Sequence, residues 1–258
     1  MPKVAVETEG ATTIVSIDRF AEARNAVDPE TAELLRDAFL AFDRDANQSV
    51  AILTGRGGTF CAGYDLKSVA IRTTAPIRTP DSPGPMGPTR HLLSKPVIAA
   101  IEGYAVAGGL ELALWCDLRV ASETAKFGVF CRRWGVPLID GGTVRLPRLI
   151  GHSRALDMIL TGREVGAREA WDWGLANRVV PAGRALAEAK ALAEQLAKFP
   201  QACLRSDRRS SYEQWSMPLG EALANEASRG LPALQEEAQA GAARFASGKG
   251  RGGDFGDL

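Results

Sequence analysis

Residues 95–117 read KPVIAAIEGYAVAGGLELALWCD, and the order of residue types here decides the fold. Pro96 to Ile101 is a short run of small and β-branched apolar residues, the pattern of a buried strand. Glu102 and Gly103 interrupt it. Ala107, Gly108 and Gly109 then give a turn of small residues, and a helix starts at about Gly109. Leu118 to Ala121 follows as another strand. Strand, glycine turn, helix and strand in such quick succession argue for an α/β layering with parallel strands. A membrane span is not the reading, because Glu102 and Glu111 would both have to enter lipid.

Working outward toward the N-terminus, Val50 to Thr54 is a second short strand, and it too runs into a glycine turn, GGTFCAGYDLK at 57–67. Asp28-Pro29 reads as a helix cap followed by proline at the first helical position, and residues 29–45 carry Leu34, Leu35, Phe39, Leu40 and Phe42 at helical spacing. Residues 3–8 and 12–18 alternate and are rich in Val and Ile, which predicts a β-hairpin turning near Glu9 and Gly10. Between the two glycine turns, residues 71–90 hold Pro76, Pro80, Pro83, Pro85 and Pro88, a density that predicts a mobile surface loop rather than helix or strand. From about residue 152 the periodicity is helical, over 153–161, 167–173, 183–199 and 218–246. The glycine-rich end, 248–257, reads as frayed.

The 258 residues are enough for one sizeable core. Lys+Arg and Asp+Glu each total 31, so no basic excess points to nucleic acid or an anionic membrane. The four cysteines (Cys61, Cys116, Cys131 and Cys203) form no CxxC pair and the chain has two histidines, which argues against zinc and for reduced thiols in the cytosol. MPKVAVETEG has no apolar run after a basic stretch and does not read as a signal peptide.

Chemistry concentrates in the two glycine turns. Small side chains let a ligand approach the backbone closely, and a helix start leaves N–H donors free. Two such donors aimed at one point form an oxyanion hole, which stabilises charge growing on a carbonyl oxygen.

Residues 95–117 resemble the signature of the crotonase (enoyl-CoA hydratase/isomerase) superfamily, and FCAGYDLK at 60–67 is similar to its other landmark. Arg24-Asn25-Ala26-Val27 fits the segment that follows the first hairpin in that family. AKFG at 125–128, GGTVRL at 141–146, LTG at 160–162 and WGLANRV at 173–179 match in order, so the resemblance covers nearly the whole chain. It implies a spiral of ββα units over residues 1–195 and a helical C-terminal oligomerisation region over 196–258. It implies an acyl-CoA thioester as substrate, with coenzyme A belonging to the substrate and no separate cofactor or metal. It implies a homotrimer or dimer of trimers; the cysteine usage points to the cytoplasm, and the balanced charge and the interrupted apolar stretch to neither nucleic acid nor membrane as a partner.

By the same resemblance, Ala62 and Gly108 supply the oxyanion hole, and Glu111 is a catalytic acid/base that activates water. A carboxylate at an apolar helix start needs donors or a raised pKa, and a raised pKa suits proton transfer. The second glutamate of the hydratases would stand at position 131, where this chain has Cys131, read as a small apolar filler of the substrate site. Asp140, ahead of Gly141-Gly142, has two readings: the partner of Glu111, or the N-cap of the following helix. Tyr64, Asp65 and Lys67 are expected at the substrate. Phe130 and Trp134 are expected in core packing, and Arg132-Arg133 on a solvated surface.

Overall fold

The structure, a computed structural model, describes residues 2–71, 82–250 and 252. The N-terminal hairpin is present as β1 (Val4–Glu9) and β2 (Thr12–Ile17), paired antiparallel. A single turn, α1 (Phe20–Ala23), leads to α2 (Pro29–Arg44), where the Asp28 carboxylate accepts the Thr31 N–H as an N-cap beside Pro29. The far end of α2 is closed by the buried Lys95, whose ammonium donates to the carbonyls of Phe42 and Asp45. Next come β3 (Val50–Gly55) and a short helix α3 (Leu66–Ala70). The stretch that decides the fold gives β4 (Val97–Ile101), β5 (Tyr104–Val106) and α4 (Gly108–Trp115). It is followed by β6 (Leu118–Ser122) and β7 (Lys126–Gly128). Then come α5 (Gly142–Ile150), α6 (His152–Thr161), β8 (Val165–Gly166), α7 (Ala167–Asp172), β9 (Arg178–Val180) and α8 (Ala185–Lys198).

One sheet has the order β1-β2-β3-β4-β6-β9 and is parallel from β2 onward; a smaller one has the order β5-β7-β8. The inner strands β3 and β4 are covered on both faces and are nearly continuously apolar rather than alternating, whereas the edge strand β1 is exposed over most of its length. Ile14, Ile52, Ile98 and Val120 face α8, where Ala185, Ala189 and Ala193 let the helix lie close. Val15, Leu53, Ala99, Ile101 and Ala121 face the main core with Phe39, Phe60, Phe127 and Leu110. The transition from β4 to α4 is therefore clamped between the two sheets, which fixes the turn that carries the site.

After α8 the chain forms α9 (Gln201–Glu213), α10 (Leu219–Glu236) and α11 (Ala238–Ala246). α8 runs on to Lys198, and α9 begins after Phe199-Pro200. Most of the glycine-rich end lies outside the described residues, as do residues 72–81 of the proline-rich segment. The described remainder of that segment differs from the expected surface loop. Residues 84–89 are buried, and Pro88–Arg90 is a turn of 3-10 helix. Among the described residues, no helix is long and apolar enough to cross a membrane.

Candidate active site

The two glycine turns lie side by side. The Cys61 N–H donates to the Tyr104 carbonyl at 2.9 Å, and the Val106 N–H donates to the Cys61 carbonyl at 3.1 Å. Ala62 and Gly108 both face a cavity of about 1090 Å³. Gly63 fits between the strands because it has no side chain: at its φ of +104°, a Cβ would lie 2.9 Å from the Ala107 Cβ and 3.1 Å from the Gly108 nitrogen. Ala107 itself has φ 53° and ψ −124°, a backbone conformation that costs a non-glycine residue about 1–3 kcal/mol. That strain turns the chain so that Gly108, the first residue of α4, presents its N–H with no partner among the described residues. The Ala62 N–H is engaged, donating to the Arg24 carbonyl at 3.2 Å.

Glu111 lies one turn into α4 and is 3% exposed. Its Oε1 accepts the N–H groups of Asp140 and Gly142, each at 2.8 Å. Burial raises its pKa to about 7, and the neighbouring Asp140 carboxylate adds to the rise, against the lowering by the two N–H donors and by Arg145. A carboxyl poised there can give or take a proton near neutral pH.

Asp140 does not cap α5. The cap position is Gly141, with no side-chain hydrogen bond. The Asp140 carboxylate turns instead toward the proline-rich segment and accepts the Met86 N–H at 3.0 Å and the Thr89 hydroxyl at 2.5 Å. Gly84 must be glycine for this contact, since a Cβ there would meet Thr89 Oγ1 at 2.1 Å and Asp140 Oδ1 at 2.3 Å. This is why part of the proline-rich segment is buried. Glu111 and Asp140 both line the cavity.

Cys131 lines the cavity as well, and burial followed by the proximity of Glu111 pushes its thiol upward, so it stays protonated. Tyr64 is on the cavity wall. Asp65 and Lys67, expected at the substrate, are not among the residues that line this cavity. The Asp65 carboxylate accepts the Lys67 N–H as the cap of α3 and pairs with Arg19 at 3.2 Å, while Lys67 is exposed outside the cavity lining. Phe130 and Trp134 are not core residues: both line the cavity, and Trp134 is 66% exposed. Arg133 is exposed as expected, but at the cavity rim and over the Phe130 ring. Arg24, Met86 and Arg90 also reach the cavity. The sequence placed Arg24 only within a matching segment; it borders the cavity from a left-handed backbone position, φ 50°.

The profile of the family "Enoyl-CoA hydratase/isomerase" matches residues 7–249. The chain is 39% identical over 253 residues to enoyl-CoA hydratase EchA19 of Mycobacterium tuberculosis, covering 95% of this chain and 94% of that one. It is 40% identical over 192 residues to carnitinyl-CoA dehydratase of Proteus mirabilis, 74% of this chain and 72% of that one. The crystal structure of enoyl-CoA hydratase EchA1 from Mycobacterium marinum superposes with a TM-score of 0.89 at 36% identity, covering 96% of each chain. The chain therefore has the crotonase fold and belongs to the enoyl-CoA hydratase/isomerase family of enzymes.

Proposed function

We propose that the chain is an acyl-CoA lyase that hydrates a trans-2-enoyl-CoA thioester, with Glu111 carrying the proton. The thioester carbonyl oxygen takes the free N–H of Gly108 and that of Ala62, which gives up its bond to the Arg24 carbonyl. The Gly108 N–H is held in place at the helix start, and with the Ala62 N–H, once released, it stabilises the charge that develops on this oxygen. The oxygen of a water molecule bonds to C3 while the Glu111 carboxylate takes one of its protons. The electron pair of the double bond moves into the thioester as an enolate. Return of the proton from Glu111 to C2 completes the addition. Asp140 raises the proton affinity of Glu111 and orients the water. Tyr64 and Cys131 are walls for the acyl group, and Arg24 and Arg133 offer cations to the phosphates of coenzyme A. No cofactor takes part. The working form is a homotrimer or a dimer of trimers, a reading supported by apolar residues exposed on α10, among them Leu219, Leu223, Leu231 and Leu234.

The observation that carries this reading is Glu111: a buried carboxyl whose pKa is raised to about 7, in the same cavity as a helix-start N–H, that of Gly108, which has no partner among the described residues. Cys131, in place of the second glutamate, favours one alternative, a member that binds acyl-CoA without turnover; isomerisation, hydrolysis or decarboxylation in the same hole are the rival reactions that a panel of acyl-CoA substrates separates. The test is turnover of crotonyl-CoA and of a longer trans-2-enoyl-CoA, followed by loss of the conjugated double bond and by product mass. Water addition is expected, and Glu111→Gln should lower kcat by about 100-fold or more with thioester binding retained. Full activity of the Gln variant would remove Glu111 from the reaction.

A further inference from the structure

Arg145 is a cation in the site with no part in the scheme above. It projects from the first turn of α5, and its side chain folds back under Gly141, where a Cβ would lie 2.1 Å from its Nη1. Nη1 donates to the Asp140 carbonyl at 2.8 Å, and Nη2 donates to the Thr89 carbonyl at 2.6 Å. Those two residues are 51 positions apart and carry the contacts that hold the acid pair. The Thr89 hydroxyl donates to the Asp140 carboxylate, and the Asp140 N–H donates to Glu111. The peptide between them is otherwise easy to swing, because Gly141 sits at φ +97° and Gly142 follows it.

We propose that Arg145 is the positioning residue of this site, a forked clamp that ties the 84–90 segment to the Asp140-Gly141-Gly142 turn and so holds both carboxylates in one geometry. This rests on the reading of Glu111 and Asp140 as the reacting pair. A planar guanidinium suits the task because two of its N–H groups reach two separate carbonyls at once, which an ammonium on a flexible stem does not reproduce. The acceptors are backbone carbonyls rather than a carboxylate, so the positive charge is not cancelled by a salt bridge. The titratable groups that feel it are Tyr212 from α9, Glu111 from α4, Asp140, and Cys116 at the end of α4. Burial and Asp140 push the proton affinity of Glu111 up, and Arg145 opposes them.

The test uses the full chain with Arg145→Lys and Arg145→Gln. Steady-state kcat and KM are measured together with an infrared pH titration of the carboxyl band that Glu111→Gln abolishes. In Arg145→Gln, kcat should fall about 10- to 100-fold with KM within about twofold, and the Glu111 midpoint should move above that of the wild type. Arg145→Lys keeps the charge and loses the fork, so its midpoint should stay near that of the wild type while kcat is still lowered several-fold. Wild-type kcat and midpoint in Arg145→Gln, with a change in melting temperature alone, would overturn the proposal. If Arg145→Gln does not fold, Arg145→Lys decides through kcat, and wild-type turnover there would overturn the clamp. If the wild type hydrates no enoyl-CoA, the proposed function fails, and hydrogen exchange at the Asp140 and Gly142 N–H groups still decides: faster exchange in Arg145→Lys supports the clamp and unchanged exchange refutes it.

Discussion

Glu111 is where the site's chemistry meets the protein's stability. Its carboxyl is protonated in both the folded and the unfolded chain below about pH 4.5 and adds no pH dependence there. Between 4.5 and about 7 the unfolded chain releases the proton and the folded chain keeps it, so stability falls as pH rises. Above 7 the full penalty remains, about 3 kcal/mol. Glutamine keeps an oxygen for the N–H groups of Asp140 and Gly142 without the buried charge. Glu111→Gln should therefore melt higher than the wild type at about pH 8, with the gap closing toward about pH 4; thermal melts across that range check it, and a variant less stable at pH 8 would contradict it. Asp140→Asn should lower turnover by more than its loss of stability explains, because its charge acts on Glu111; melting and kcat measured side by side separate the two. That Ala62, Gly108 and Glu111 come together at one cavity was legible through the family resemblance of residues 60–67 and 95–117, since either glycine turn alone is a weak signal. Asp140 was half legible. Its position before Gly-Gly suggested a cap, but its partners Met86 and Thr89 are more than 50 residues away, and no local rule reaches them. Asp65 looked like a substrate residue because it stands beside the first glycine turn, yet a capping bond and Arg19 already occupy it.

At the scale of elements, the strands and helices around both glycine turns were legible because burial on two faces writes long apolar runs into the sequence. α9 was not, since its sequence QACLRSDRRSSYE is mostly polar and has no apolar stripe to count. Polar ties hold it instead. The Asp117 carboxylate accepts the Val97 N–H, the Arg208 guanidinium at 2.7 Å and the Tyr212 hydroxyl at 2.8 Å, joining β4 to α9. Arg208 Nη1 also donates to the Leu93 carbonyl. Asp117→Ala would leave these donors without their acceptor and should cost about 3–5 kcal/mol, read from denaturant unfolding. A loss under about 1 kcal/mol would mean that the tie is a surface pair of little weight. The expected surface loop at 71–90 failed where its glycines became packing surfaces: a Cβ on Gly87 would lie 2.4 Å from the Ala32 carbonyl oxygen. Proline density carried no information about depth.

The whole molecule is a core that clamps one strand-to-helix turn and a helical extension with apolar residues facing outward. Leu219 and Leu234 on α10 are 76% and 65% exposed, more apolar surface than a solitary chain commonly leaves in one region. Sedimentation should show an assembly of several copies, and Leu231→Glu with Leu234→Glu should shift it toward monomer with the circular dichroism of the core retained; a monomeric wild type would contradict this. Zero net charge and a neutral composition were enough to steer the sequence reading away from nucleic acid. They could not show a 1090 Å³ cavity walled by residues from the 84–90 segment, α4 and the 130–140 turn. The central claim is that one carboxyl, Glu111, carries the proton in hydration although Cys131 replaces the second glutamate. The most direct measurement is kcat/KM for hydration of a trans-2-enoyl-CoA as a function of pH, in the wild type and in Glu111→Gln. The wild-type rate should rise with pH through about 7 and then level, as the ionised carboxyl becomes available, and the variant should lack that step and be about 100-fold or more slower on the plateau. A profile flat through pH 7, or a variant that follows the wild-type curve, would contradict it.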